Sequence, residues 1–504
     1  MNNNSLKKSL LIELWILPVL FILALWVRLY HLGSPSLFDD EISTVLRINH
    51  PFFEAIRLLS QSQFPPLHYA LVHCWVNIFG VSEWALRFPS AVFSALTVIV
   101  IYKLGEELFN KEAGAFSALL LTFSPFALDY AQNAKMYALY WFLTALSFLF
   151  FFRFLRNYSR DAYRRYIVVS ILSCYTMYTG LLFLVAQSVM FVLMGNKDQW
   201  SRWFRGQLLV MACCVPWLVY VYCSWSEPYV WPFIKPFDYF LFLTKGLLYI
   251  IGSSNDRLWP VNYFLYVFSI IYLFIDVVLT KGKAFLKQYY FLLMGLVLPV
   301  FIYCLVNYYF LHAVMCYRYI GFIQIPLILL VASQINNLGG FLRKILMVVM
   351  VLVAMDYTYV YFHDHLRHPH QDWRQTAEEL TKKLKKDDLV LYTINANLYQ
   401  SKGYLQKTHR QMADTFKYYY KGDTRKFVLI LLRDCQSDYL IKKGFLHKGV
   451  KSIFVLYKAY ETPHVNLDGF VLDYQTSNGV VGFLHFRRNN DKVSTARSPS
   501  LRSV

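Results

Sequence analysis

The sequence predicts an α-helical polytopic membrane protein of about eleven spans with a small C-terminal α/β domain. Three observations carry that prediction. Of the 504 residues, 57% are hydrophobic, 18% aromatic and only 16% charged, and the mean hydropathy is +0.36, whereas a soluble chain of this size would be far more polar. The apolar residues are gathered in long runs such as LWILPVLFILALWV, SAVFSALTVIVIY, YFLLMGLVLPVFIYCLV and ILMVVMVLVAM, separated by short polar stretches. These runs cease near Tyr361, and a polar region follows.

Candidate spans lie at roughly 11–30, 88–104, 113–128, 136–152, 166–179, 181–195, 207–224, 261–279, 289–311, 319–335 and 341–362. The first follows Lys7 and Lys8 as a signal sequence would, but it is long, ends in Arg28 and lacks a small-residue cleavage site, so it reads as an uncleaved span. The stretch 166–195 is long for one helix and short for two. Arg153, Arg156, Arg160, Arg164 and Arg165 precede it, and Lys197, Arg202 and Arg205 follow it. Because basic loops stay cytoplasmic, an even number of crossings lies between them, which two short helices turning near Gly180 provide. Lys281, Lys283 and Lys287, then Arg343 and Lys344, fall inside by the same rule, and the odd span count places 363–504 outside. The loop with Glu106, Glu107 and Lys111 is the exception, being not basic, although acidic residues weigh little in the rule.

This topology leaves three features between spans on the outer face. The stretch 31–87 is amphipathic, with FFEAIRLL and HYALVHCWVNIFG patterned as helices lying in the interface; a short turn runs from Asp129 to Lys135; and a loop at 225–260 is rich in Pro and aromatic residues. The organisation expected is a membrane domain over 1–362, an extracytoplasmic domain over 363–490 and a tail at 491–504 whose composition predicts disorder. Within 363–490 a helix-like piece, QTAEELTKKLKK, alternates with strand-like ones, LVLYTI, KFVLILL, SIFVLYKAY and VVGFLHF. The net charge of +19 fits basic cytoplasmic loops and anionic membrane lipids; no nucleic-acid motif accompanies it, so nucleic acid is not an expected partner. The eight cysteines lie mainly in apolar runs, without metal-type pairing or a disulfide rhythm.

Four polar motifs gather on the predicted outer face. FDDE at 38–41 directly follows the first span, where carboxylates are costly unless solvated or used. PPLHY at 65–69 precedes FGVSEWALRFPSA; taken alone, Pro65 and Pro66 do no more than start a helix. DYAQNAKMYAL at 129–139 reads either as a polar turn flanked by interfacial aromatics or as part of a site. YRYIGFIQIP at 317–326 sets Arg318 at a span entrance, where an arginine also snorkels to head groups.

Taken in order, the motifs resemble the bacterial members of the protein O-mannosyltransferase and lipid A aminoarabinose transferase group, within the GT-C class of membrane glycosyltransferases. The matching residues are Asp40 and Glu41; Pro65, Pro66, Leu67 and Tyr69; Arg87, Pro89 and Ser90; Gln132, Ala134, Met136 and Tyr137; Arg318 and Tyr319; and Asp372, Trp373 and Arg374. They cover nearly the whole chain, and each is weak alone. The resemblance implies a cell-membrane enzyme of the cell envelope, in the inner membrane if Gram-negative, that transfers a sugar from a polyprenyl-phosphate donor to a lipid, glycan or protein acceptor. It implies Asp40 as base with Glu41 orienting it or the acceptor, Arg318 and Lys135 on the departing phosphate, and Tyr69, Tyr137 and Tyr319 lining the substrate. Asn133 stands where the family has an acid and Lys135 where it has arginine; Asp129, about one helical turn earlier, is the nearest carboxylate that substitutes for the first.

Phosphate departs charged, so the chemistry needs a base and fixed cations but no separate acid, no cofactor and no metal. The run HDHLRHPH at 363–370 is read as linker, with metal binding as the alternative. A transporter or flippase of a lipid-linked saccharide stays open as a competing function, although the spans are nearly free of charge and the two halves do not match. A degenerate, non-catalytic homologue stays open too, on the strength of Asn133.

Overall fold

The computed structural model describes residues 3–61, 64–224, 283–311, 317–338, 340–367, 372–385 and 388–394, and further on 418–420, 427–429, 450–458, 465, 467, 470–478 and 481–488. Contacts divide the chain into two compact units, one of Met1–Pro35 with Ser43–Arg367, the other of Ser36–Ile42 with His368–Val504.

The first unit is helical: α1 (Asn3–Leu29), α2 (Asp39–Ile48, whose first turn belongs to the other unit), α3 (Phe52–Gln61), α4 (Leu67–Phe79), α5 (Glu83–Leu108), α6 (Lys111–Thr122), α7 (Pro125–Ala131), α8 (Tyr137–Asn157), α9 (Arg160–Cys174), α10 (Thr179–Met194), α11 (Trp200–Ser224), α12 (Lys283–Val306), α13 (Gln324–Asn337) and α14 (Gly340–Arg367). The expected spans overlap these helices, except that 113–128 is divided between α6 and α7 and 261–279 lies outside the described residues, as does the loop 225–260. Among the described residues, five helices are long and apolar enough to cross a membrane, at Glu83–Leu108, Tyr137–Asn157, Lys197–Ser224, Gln288–Tyr309 and Gly340–His363. A sixth span is formed if α6 and α7, bent by 61°, count as one. The chain is thus a multi-pass membrane protein.

Local chemistry explains the breaks. Ser124 caps α7 by accepting from the Ala127 N–H, and Pro125 at the first position has no N–H with which to continue α6. Between α9 and α10 the chain turns at 175–178, just before the Gly180 of the sequence expectation; a Cβ on Gly180 would lie 3.1 Å from the Ser173 and Cys174 backbone. Helices α5 and α6 touch through glycines, for a Cβ on Gly105 would lie 2.8 Å from the Gly114 Cα.

The acids that weaken the charge rule at 106–112 are paired. Glu106 meets Lys103 at 3.0 Å and Lys111 at 3.9 Å, Glu107 meets Arg153 at 2.5 Å, and Glu112 meets Arg343 at 3.2 Å. The end of α5, the start of α6, the end of α8 and the start of α14 therefore meet on one face of the bundle. A cavity of about 390 Å³ opens there, lined by Glu107, Arg153, Arg156, Asp161 and Arg165 among others, and no motif residue lines it. Helices α5 and α8 begin at the opposite end, which is where PPLHY, DYAQNAKMYAL and YRYIGFIQIP lie.

The second unit holds a five-stranded sheet of order β2-β1-β3-β5-β4, from β1 (Asp388–Ile394), β2 (Phe427–Leu429), β3 (Ser452–Lys458), β4 (Phe470–Asn478) and β5 (Val481–Arg488). Strand β1 runs parallel to β2 and β3, whereas β5 is antiparallel to β3 and β4. Helix α15 (Trp373–Lys383), capped by Asp372, buries Trp373, Ala377 and Leu380 and packs on β4 and β5. Strand β4 was absent from the sequence expectation; Val471, Leu472 and Tyr474 on it are exposed, which blurs its alternation. The segment 36–42 joins this unit through Leu37, which is fully buried and donates its N–H to Tyr419 Oη at 2.6 Å. The tail 491–504 lies outside the described residues.

Candidate active site

The site begins with a turn. Helix α7 ends at Ala131, and Gln132 caps it while its side-chain amide donates to the carbonyls of Arg28 at 3.0 Å and Tyr30 at 2.7 Å, tying the turn to the exit of α1. The Lys135 N–H closes on the Asn133 carbonyl at 2.8 Å, and Ser90 Oγ donates to the Lys135 carbonyl at 3.3 Å. Lys135 is thereby buried, with 3% exposure. Its Nζ donates to Ser43 Oγ at 3.3 Å and stands 5.5 Å from the ring centroid of Phe64 and 5.9 Å from that of Tyr69. Aromatic faces are electrostatically negative and partly replace lost hydration around the ammonium.

The second cation stands at the entrance to α13. Arg318 lies in the short turn Tyr317–Tyr319, with its guanidinium 5.6 Å from the ring centroids of both Tyr137 and Tyr319, whose rings are 6.5 Å apart. Tyr137 also meets Tyr130 edge-on at 5.2 Å. A Cβ at Gly321 would lie 2.1 Å from the Trp141 indole, so only glycine lets the 317–323 segment approach α8 so closely. Gln324 donates to Ser124 Oγ at 2.5 Å and holds the start of α13 against α7.

Of the residues singled out in the sequence, the structure thus brings Lys135 together with Tyr69, and Arg318 with Tyr137 and Tyr319. Asp40 and Glu41 occupy the first turn of α2, in the segment that belongs to the second unit. Acids there favour the positive end of the helix dipole. Glu41 is fully buried, and its Oε2 accepts from the Phe38 N–H at 3.2 Å, one half of a capping box. Asp129 is half-buried on α7. Because α7 stops at Ala131, Asn133 is in the turn, and the supposition that positions 129 and 133 share a helix face does not hold. Arg87 is buried and donates to the carbonyls of Leu32 at 3.1 Å and Pro35 at 2.9 Å, pinning the loop after α1. The run 363–370 continues α14 as far as Arg367, and its last three residues lie outside the described residues.

His68 was passed over in the sequence. It is 3% exposed and edge-on to Tyr69 at 5.5 Å. Burial, and then the charge on Lys135, lower its pKa to about 3, so the ring is neutral. Phe64 and Ser43 were missed as well; the only available signal was their closeness in sequence to PPLHY and FDDE.

Residues 63–220, which run from α4 to α11, match the family model described as dolichyl-phosphate-mannose-protein mannosyltransferase. In three dimensions the chain matches the crystal structure of ArnT from Cupriavidus metallidurans in the apo state with a TM-score of 0.56 at 12% identity, covering 93% of this chain and 97% of that one. The chain has the fold of a GT-C membrane glycosyltransferase. The same ArnT bound to undecaprenyl phosphate matches this GT-C fold with a TM-score of 0.53 at 13% identity and the same coverage. An uncharacterized protein from Aquifex aeolicus (strain VF5) is 24% identical over 237 residues, 46% of this chain, and the match spans 47% of that relative's length.

Proposed function

We propose that the chain is a glycosyltransferase that moves a sugar from a polyprenyl-phosphate donor to a lipid, glycan or protein acceptor on the extracytoplasmic face, with inversion at the anomeric carbon. The observation that carries this reading is the pair of tyrosine-flanked cations, Lys135 beside Tyr69 and Arg318 between Tyr137 and Tyr319, at the end of the bundle opposite the ion-paired basic face. The relative ArnT, crystallised with undecaprenyl phosphate, supports it.

In this reading Arg318 takes the phosphate oxygens in its planar fork, and Lys135 adds a point charge. Lys135 is buried and Arg318 half-buried, and away from bulk water fixed charges stabilise a departing phosphate more than they would in it. The tyrosines supply rings that hold the cations and hydroxyls that reach the head group. Asp40 takes the acceptor proton, and Glu41, by capping α2, orients the turn that carries it. The membrane domain is 1–362 with about eleven spans, and 363–490 forms an extracytoplasmic α/β domain.

The purified chain, incubated with polyprenyl-phosphate sugars and candidate acceptors, should release polyprenyl phosphate as product. Asp40→Asn should abolish that release while still binding undecaprenyl phosphate, since the amide keeps the shape and loses the base. Undiminished turnover in Asp40→Asn would refute the assignment, and a wild-type protein that binds the lipid but transfers nothing would mark an inactive homologue.

A further inference from the structure

The cavity of about 390 Å³ at the ion-paired end of the bundle is walled by the end of α8 and the start of α9, with Glu107 of α5 beside them. Its lining carries three arginines, Arg153, Arg156 and Arg165, against two acids, Glu107 and Asp161, so one positive charge is in excess. The arginines are not engaged alike. Arg153 gives its Nε–H to both carboxylate oxygens of Glu107, at 2.9 and 3.1 Å, in a partly buried pair. Arg165 meets Asp161 at 3.0 Å, but both side chains are exposed, and an ion pair of that kind is weak and exchanges readily for another anion. Arg156 makes no ion pair among the described residues; its guanidinium stands 6.0 Å from the Phe152 ring centroid. The Phe150 ring, also in the lining, is 5.8 Å from the guanidinium of Arg153 and 5.9 Å from that of Arg165.

An apolar track leaves the same place. Phe142, Leu146 and Phe150 recur at four-residue intervals on α8, so they share one face, and each is half-buried against the cluster of Leu139, Leu143 and Val169. That face runs about 12 Å along α8 from the cavity into the apolar span Tyr137–Asn157, flanked by Leu172 of α9 and Phe93 of α5. Cations at the end of a span, adjoining a half-open apolar track within it, match a molecule with an anionic head and a hydrocarbon tail. We infer that this cavity binds the phosphate headgroup of an anionic phospholipid, with Arg156 and Arg165 on the phosphate oxygens and an acyl chain along Phe150, Leu146 and Phe142. The planar guanidinium forks suit phosphate, and Arg165 exchanges its exposed partner Asp161 for it. A zwitterionic lipid brings a cation of its own, which the excess positive charge of the lining disfavours. A free phosphate shares the chemistry of the head but leaves the track unused. No residue of this site takes part in the proposed transfer reaction.

The test is titration of dioleoyl phosphatidylglycerol and, separately, dioleoyl phosphatidylcholine onto the full-length protein in detergent, with bound lipid counted by native mass spectrometry. The wild type should bind phosphatidylglycerol about tenfold or more tightly than phosphatidylcholine, as two arginines beside a phosphate provide. Arg156→Ala should weaken the phosphatidylglycerol complex about fivefold and leave phosphatidylcholine unchanged. If Arg156→Ala fails to fold, Arg165→Ala, for which the same loss is expected, decides. Arg205→Ala removes an equal charge outside the cavity from α11, whose start Tyr163 of α9 holds through the Trp203 carbonyl at 2.8 Å, and it should bind as the wild type does. Equal affinity of the wild type for the two lipids overturns the inference, and so does a loss in Arg205→Ala as large as that in Arg156→Ala, which would make the binding a matter of general charge. Inorganic phosphate at the same concentration as the lipid should not displace it; displacement would assign the cavity to a soluble phosphate and overturn the lipid.

Discussion

Arg318 holds its guanidinium 5.6 Å from the ring centroid of Tyr137, which begins α8 only two residues after Lys135. One cation therefore arrives from a turn before α13 and the other from the turn before α8, so the pair depends on how those two helices pack and not on the spacing of either motif.

Arg318→Ala should cost about 2–5 kcal/mol in undecaprenyl phosphate binding, the range for truncating one side of a buried charge pair. Arg318→Lys should recover only part of that, because an ammonium lacks the planar fork. Tyr137→Phe keeps the ring beneath the guanidinium and should bind nearly as the wild type does. Titration of the lipid phosphate onto each variant measures all three, and unchanged affinity in Arg318→Ala would remove Arg318 from the site.

With α7 ending at Ala131, Asp129 has no helical register that brings it to the place of Asn133. Asp129→Ala should therefore be tolerated in a turnover assay. Asn133→Glu, which puts a carboxylate in the same turn as Lys135, should raise turnover or leave it unchanged. Severe loss in Asp129→Ala would restore that residue as the substitute acid.

The folded-state pKa of His68, about 3, lies below the ordinary 6.5 of a histidine, so the unfolded chain binds a proton there that the folded chain does not. Its stabilising contribution is complete above pH 6.5 and declines as pH falls toward the folded value. Between pH 6.5 and 5 the loss should be about 2 kcal/mol, from 1.36 kcal/mol per unit of difference. Thermal unfolding in detergent at the two pH values should show it, and His68→Asn should flatten the dependence. The same decline in both proteins would assign it to other groups.

A reporter enzyme fused after Asp372 should be active only outside the cytoplasm, and one fused after Gly195 only inside. The expectation follows from the basic residues at 153–165 and 197–205 and from the ion pairs that gather Arg153 and Arg343 on one face. Cytoplasmic activity of the fusion at Asp372 would reverse the proposed orientation.

What the sequence determined by itself is what short-range chemistry decides. Apolar runs made helices because a backbone in lipid has to bond within its own segment. Ser82, Asn110, Ser124 and Ser159 capped helices because their side chains reach N–H groups three residues on. The four motifs were legible for a related reason, each being a compact string whose order along the chain could be read. Tertiary structure alone decided which strings meet. Arg318 reached Tyr137 across 181 positions, Lys135 reached Ser43 and Tyr69, Glu107 found Arg153, and the segment 36–42 with Asp40 joined the C-terminal unit. Periodicity reports that a side chain is buried but not against what, since partners far apart in sequence are chosen by the packing of whole helices and leave no local trace.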